Sequence, residues 1–274
     1  MPGPSELVRA IRRIKFTISS SITKSLKMFY TNLHYQCAIA ILSVSIITPV
    51  QAAVISEFEP NQIGIDAGTQ TIELSGTPGV DFAGWVLAIG GEMSRFGTVD
   101  RAIEINGVFG SDGLLTTSIT DFLDPTFTIV LADDFTGTVG VTDIDGNNDG
   151  IADDTSSIGN IQDALGVAGS EFDVGRLYGS DLGGQDLAFT GDQPRLVFRD
   201  ASVGDWYALN DPDNGMIFDI DGNDVSNSLS FNGDPFSPSF GEINPTVSAV
   251  PEPSSLLALA SLSVVAIRRR WKKR

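Results

Sequence analysis

Apolar residues in this chain come in short runs of four to six, each bounded by turn-forming residues: Val54 to Phe58, Gln70 to Leu74, Trp85 to Ile89, Leu114 to Ile119, Phe127 to Leu131, Arg195 to Phe198 and Trp206 to Leu209. β-branched and aromatic residues dominate them. Thr77-Pro78-Gly79, Asp112-Gly113 and Asn232-Gly233 supply the turns between. Strands of this length at this spacing predict a mostly β fold, an antiparallel β-sandwich. Only Ile158 to Val167 spaces its apolar positions as a helix would. Asn232 to Val250, rich in Pro, Ser, Asn and Phe, reads as a linker, so residues 53–231 are expected to form one extracellular β-rich domain.

The two ends break this pattern. Arg9, Arg12, Arg13, Lys15, Lys24 and Lys27 precede an apolar stretch from Cys37 to Val50, and Val50-Gln51-Ala52 places small residues at the minus-three and minus-one positions of a cleavage site. Residues 1–52 therefore read as a signal peptide cut by signal peptidase between Ala52 and Ala53. A start at Met28 would discard all six basic residues. At the other end, Pro251-Glu252-Pro253 is followed by an apolar run from Ser254 to Ile267 and then by Arg268-Arg269-Arg270-Trp271-Lys272-Lys273-Arg274. That run has 14 residues. As a helix it covers about 21 Å, short of the roughly 30 Å hydrocarbon core. It suits a transient anchor whose basic end stays in the cytoplasm. Elbow, short apolar run and basic tail, residues 251–274, resemble the PEP-CTERM sorting signal of Gram-negative bacteria. The resemblance implies an exosortase as a partner during export and the cell surface or extracellular matrix as destination.

Without the two ends the charge changes. Of 35 acidic residues, 33 lie between Ala53 and Val250, where only Arg95, Arg101, Arg176, Arg195 and Arg199 oppose them. The net charge of that span is −28, against −18 for the whole chain. A surface this acidic repels nucleic acid and anionic lipid and attracts divalent cations. His34 and Cys37, the single histidine and cysteine, fall in the signal peptide, and no lysine lies in the span. That excludes Ser-His-Asp and Cys-His nucleophile pairs, imidazole or thiolate zinc sites, disulfides and Schiff-base chemistry from the domain. Carboxylate catalysis of the glycosidase kind remains open, but with so many carboxylates the sequence selects no acid and base.

Three strings in the first half carry a second resemblance: Ile55-Ser56-Glu57-Phe58-Glu59-Pro60-Asn61, Thr71-Ile72-Glu73-Leu74-Ser75 and Asp81-Phe82-Ala83-Gly84-Trp85-Val86-Leu87. Together they look like the opening of a lamin-tail-like domain, over residues 54–167. The resemblance implies an immunoglobulin-like sandwich and no particular activity. From the residues themselves, Phe82, Trp85 and Leu87 are expected as core anchors, with Gly84 allowing a bend.

The strongest chemical motif is Asp143-Ile144-Asp145-Gly146-Asn147-Asn148-Asp149-Gly150-Ile151-Ala152-Asp153-Asp154. Counted from Asp145, oxygen ligands fall at positions 1, 3 and 5 (Asp145, Asn147, Asp149), Gly150 makes the sharp turn, Ile151 offers its carbonyl at position 7 and Asp153 stands at position 9. Calcium needs six to eight hard oxygens converging on one point, and alternate side chains of a tight loop can supply them. The motif resembles the calcium loops of thrombospondin type 3 and dockerin repeats. It departs from an EF-hand in having Ser156 at position 12, and Asp143 is the candidate replacement ligand. The plain alternative is an acidic surface turn. Asp211-Pro212-Asp213-Asn214-Gly215 and Asp219-Ile220-Asp221-Gly222-Asn223-Asp224 lack that Gly register and read as hairpin turns. Arg195 and Arg199 are expected in structural ion pairs, and Trp206 in the core rather than on a sugar-stacking face.

The sequence thus predicts a non-enzymatic, exported surface or biofilm-matrix protein, stiffened by calcium and in reach of acidic exopolysaccharide. The competing expectations are a carbohydrate-binding module or carboxylate-based glycan hydrolase, and a spacer without a ligand.

Overall fold

Strand formation follows the apolar runs closely. The computed structural model describes residues 52–61, 68–92, 95–122, 125–210 and 215–247, all within the unit Val50–Arg274. The expected signal peptide through residue 51 and the expected sorting signal (Pro251, Glu252, Pro253, Arg268, Arg269, Arg270) lie outside the described residues. The strands are β1 (Val54–Phe58), β2 (Thr69–Ser75), β3 (Asp81–Gly90), β4 (Val99–Val108), β5 (Leu114–Thr120), β6 (Phe127–Ala132), β7 (Ile161–Val167), β8 (Gln185–Asp186), β9 (Leu196–Arg199), β10 (Trp206–Leu209), β11 (Ile217–Asp219), β12 (Phe231–Asn232) and β13 (Thr246–Val247). Among the described residues the only helix is a three-residue 3-10 turn, Val174–Arg176.

Two main sheets form: one of six strands, ordered β11-β10-β9-β1-β2-β5, and one of five, ordered β4-β3-β6-β7-β8. Every pairing is antiparallel except β7 with β8. One apolar cluster takes side chains from both sheets, including Ile55, Phe58, Ile72 and Trp206 from the first and Val86, Ile129, Leu131 and Leu165 from the second. Such a shared layer is what defines a sandwich core. Each sheet also carries a second apolar cluster on its other face. Leu87, Ile89, Val99, Val130 and Ala164 pack under Phe135, Ile144, Ile158 and Tyr178 from the connections flanking β7. On the other sheet, Leu196, Phe198, Tyr207, Leu209 and Ile217 lie under Val225, Leu229, Phe231 and Val247. Neither outer face is therefore a plain solvent face.

That double covering explains where the sequence pattern misleads. Ile158 to Val167, expected as helical, is the strand β7 from Ile161 onward, and its residues 163–167 are all buried, so no alternation marks it. β4 was concealed for the opposite reason, because Arg101, Glu104 and Asn106 interrupt its apolar positions on a half-exposed strand. Phe82 faces the shared core, whereas Trp85 and Leu87 point to the other side of β3, as period-two geometry requires. Gly84 does not bend the strand: a Cβ there would meet the Ala132 carbonyl at 2.7 Å and Phe82 Cζ at 2.8 Å, so it serves close packing.

The expected linker is also corrected along its described part. Residues 231–247 run back over the six-stranded sheet, pair β12 with β13 and bury Pro235, Asn244 and Pro245. Asn244 Nδ2 donates to Ser56 O, Ser56 Oγ and Arg199 O, each at 3.0 Å, and the Val247 N–H donates to Asp200 Oδ2. A segment held by buried hydrogen bonds belongs to the domain rather than to a spacer.

The sheets are tied where β1 is irregular. Its register against β2 shifts between Ile55 and Glu57, so Ser56 is an extra residue, a β-bulge. There the Ile55 N–H donates to Asp163 Oδ2 of β7 at 2.9 Å, and Arg199 Nε of β9 donates to the Ile55 carbonyl at 3.0 Å. Arg199 Nη2 closes the triangle on both Asp163 oxygens at 2.7 and 2.8 Å, with its guanidinium 4.1 Å from the Trp206 ring centroid. Asp163→Ala would leave a largely buried guanidinium and a buried N–H unpaired. It is expected to destabilise the domain by about 3–5 kcal/mol in urea unfolding, against a few tenths for an exposed carboxylate such as Glu171.

Candidate functional site

The Asp-rich motif occupies the 28-residue connection between β6 and β7. Its start is fixed by the Thr98–Asp143 bridge and by the Ile144 N–H donating to the Gly97 carbonyl at 2.9 Å, with the Ile144 side chain fully buried. Burial of Ile144 draws its neighbour inward. Asp145 has no exposed surface, and both its oxygens are in use: Oδ1 accepts from the Asp149 N–H at 3.0 Å, and Oδ2 from the Gly150 N–H and the Tyr178 hydroxyl, each at 2.8 Å. Burial first, and then the hydrogen bond to Asp145, push the Tyr178 phenol well above its ordinary range, so it stays a donor.

Around this hub the exposed oxygens fold onto the backbone. Asp143 Oδ1 accepts from the Asp145 N–H at 2.9 Å, Asn147 Oδ1 from the Asp149 N–H at 2.8 Å and Asp149 Oδ1 from the Ile151 N–H at 3.0 Å. Asn147 Nδ2 reaches Asp153 Oδ1 at 3.5 Å, while the Ile151 side chain is exposed. Asn148, at φ 57°, is the only non-glycine left-handed residue among those described, and Gly150 follows at φ 87° with its α-carbon against the Gly175 carbonyl. The loop brings Asp145, Asn147 and Asp149 into one turn and Asp153 to its edge. Among the described residues no three His, Cys, Asp or Glu side chains converge as a ready metal cage. Both Asp145 oxygens are already taken by N–H and O–H donors. The lone pairs left on Asp143, Asn147, Asp149 and Asp153 are the ones a calcium ion would draw in.

Other expected positions resolve simply. Asp219 Oδ1 accepts from the Asp221 and Asn223 N–H groups at 3.1 and 2.8 Å, a hairpin turn as the sequence suggested, and residues 211–214 lie outside the described set. Ala52 is exposed and Ala53 is buried just before β1. Trp206 and Tyr207 are buried, so neither forms a sugar-stacking face. A cavity of about 380 Å³ opens between the β1 bulge and the loop after β9, lined by Ser56, Arg199, Asp200, Val203, Ile243 and Asn244 among others, with no aromatic residue in its wall.

Sequence reading did not single out the most perturbed carboxylates. Glu57 and Glu73 are direct cross-strand partners on the outer face of the six-stranded sheet, both fully buried beneath residues 231–247. Glu57 Oε1 and Oε2 accept from the Ser239 N–H at 2.9 and 3.1 Å, and Glu73 Oε2 from the Gly241 N–H at 2.7 Å and Thr116 Oγ1 at 3.1 Å. Burial pushes Glu57 up to about 7, against the pull of Ser239 and with repulsion from Glu73 and Glu59 adding to it; burial raises Glu73 too. A folded-state value above the unfolded one means the folded form holds the proton more tightly, so this contribution to stability is lost as pH rises through about 7. The available signal was a glutamate in the middle of each of two apolar runs, Val54 to Phe58 and Gln70 to Leu74.

No protein family, curated protein or solved structure matches this chain. Tyr178→Phe removes one donor from the buried Asp145 carboxylate. The expected cost is about 1–3 kcal/mol of domain stability with faster amide exchange at Asp149 and Gly150, measured by chemical unfolding and hydrogen exchange.

Proposed function

We propose that this chain is an exported structural protein of the cell surface or extracellular matrix. It acts through shape and binding rather than catalysis, is sorted by an exosortase through its PEP-CTERM-like tail, and is stiffened by calcium at residues 143–153. The lamin-tail-like opening strings fall on β1, β2 and β3, which fits an immunoglobulin-like core as a scaffold.

The observation that carries this reading is how the buried carboxylates are used. Asp163 holds Ile55, Glu57 holds Ser239, Glu73 holds Gly241, and Asp145 holds Tyr178, partners 108, 182, 168 and 33 residues apart. Using buried carboxyl groups as long-range cross-links in a domain without cysteine suits a stiff extracellular part. Calcium would add a further cross-link by neutralising a loop that otherwise repels itself, and would let the surface bridge to acidic polysaccharide.

A glycan hydrolase has one observation in its favour, the adjacent Glu57 and Glu73 with a raised proton affinity. Both lie under residues 231–247 with no exposed surface, so a sugar would have to displace that segment first.

A thermal melt of residues 53–250 with and without millimolar calcium tests the stiffening. The expected result is a rise in midpoint corresponding to about 2.7 kcal/mol at a hundredfold excess over the dissociation constant, abolished by Asp149→Ala. An unchanged midpoint would reduce the loop to an acidic turn. For sorting, the intact mass of protein recovered outside the cells is expected to lack Trp271 to Arg274, and protein retaining those residues would contradict cleavage.

A further inference from the structure

The hydrogen-bond arithmetic at Ser239 does not balance with an ionised Glu57. Ser239 Oγ lies 2.9 Å from Glu57 Oε2 and 2.8 Å from Asn244 Oδ1. The orientation of Asn244 is fixed independently, because its Nδ2 is surrounded by three oxygens, and the Ser56 and Arg199 carbonyls among them can only accept. Asn244 Oδ1 is therefore an acceptor, and the single Ser239 hydroxyl proton, once given to it, is not available to Glu57. The remaining contact, Ser239 Oγ to Glu57 Oε2, is then satisfied only if the carboxyl brings its own proton.

We propose that residues 231–247 form a strap locked onto the sheet by a proton on Glu57, and that loss of this proton releases the strap. In the locked state Glu57 donates to Ser239 Oγ, Ser239 donates to Asn244 Oδ1, and Glu73 Oε2 accepts from Gly241 and Thr116. Deprotonation sends the proton to solvent. It leaves two acceptors facing one hydroxyl proton and places a buried negative charge on β1 directly beside the Glu73 carboxyl of β2.

The surroundings do not rescue this charge. Glu73 faces Glu57 from β2, Glu59 follows on the same chain, and Asp112 lies near Glu73 from the β4–β5 turn. In the same cross-strand row, β9 and β10 present Phe198 and Tyr207, and β11 presents Asp219. On the strap, Asp234 and Glu242 are exposed acids. Residues 53–247 contain no lysine or histidine. Of the two nearby arginines, Arg199 is committed to Asp163, and Arg195 donates to the Phe236 carbonyl at 2.6 Å. Release would free about 17 residues, on the order of 60 Å of chain when extended. This inference rests on the Ser239 geometry and is independent of how the chain is sorted.

The test is amide exchange of Ser239 and Gly241 in the intact chain, expressed at each pH as protection relative to the same amides in the unfolded chain. With Glu57 at about 7 when docked and near the ordinary glutamate value when free, protection is expected to fall about tenfold from about pH 6 to about pH 9. Glu57→Gln, which keeps one acceptor and one donor in place, is expected to retain protection and lose its pH dependence. In the wild-type chain the Glu57 side-chain carboxyl carbon is expected to titrate near 7 by NMR, a reading that does not depend on any variant folding. Protection that is flat with pH, a Glu57→Gln strap that opens at every pH, or a Glu57 carboxyl that titrates in the usual carboxylate range would each overturn the proposal.

Discussion

A single extra residue in β1 sets much of this architecture. The bulge at Ser56 takes Ile55 out of register, and its N–H and carbonyl are met by Asp163 from one sheet and Arg199 from the other. Because the same guanidinium also grips Asp163 and lies over Trp206, the distance and stagger of the two sheets are fixed at one point inside the sandwich. A pair buried this deeply gains from mutual attraction only when its remaining hydrogen bonds are made, and here the backbone of β1 supplies them. The bulged Ser56 meanwhile turns to Asn244, so the irregularity that joins the sheets also receives the returning C-terminal segment.

The domain uses carboxyl groups as cross-links between distant segments, and residues 53–250 contain no cysteine that could do so. With only five arginines between Ala53 and Val250, most acids there have no cation to pair with. The acids drawn inside are satisfied by backbone N–H groups and hydroxyls from distant segments instead. Such staples carry a consequence that disulfides do not, since their strength depends on protonation. For Asp163 the desolvation of burial is opposed by Arg199, whereas Glu57 and Glu73 have only neutral donors and each other. Burial raises the pKa of all three, but only at Asp163 does a cation oppose it.

The Asp-rich loop belongs to the same economy. Its first residue past the bridge, Ile144, enters the outer apolar cluster, and this pulls Asp145 out of water to become a hub for Asp149, Gly150 and Tyr178. The side chains at alternate positions then close short turns onto the backbone. The loop is thus ordered from inside by burial and left acidic outside.

Much was legible in the chain itself. The runs beginning at Val54, Gln70, Trp85, Leu114, Phe127, Arg195 and Trp206 all lie on strands, because β-branched and aromatic runs between Gly and Pro turns have few other ways to bury themselves. Charge balance, the lack of a histidine or cysteine in the domain and the turn chemistry of Asp145 to Gly150 were likewise sequence properties, since they depend on residue type and local spacing. Tertiary structure alone decided the rest. β7 lost its alternation because both its faces are covered, and residues 231–247 looked like a linker because polar, Pro-rich composition says nothing of the carboxylates waiting on β1 and β2. Glu57 and Glu73 could not be chosen from 33 acids by sequence, because what distinguishes them is desolvation and a shared neighbour, and both arise only when segments nearly 200 residues apart are brought together.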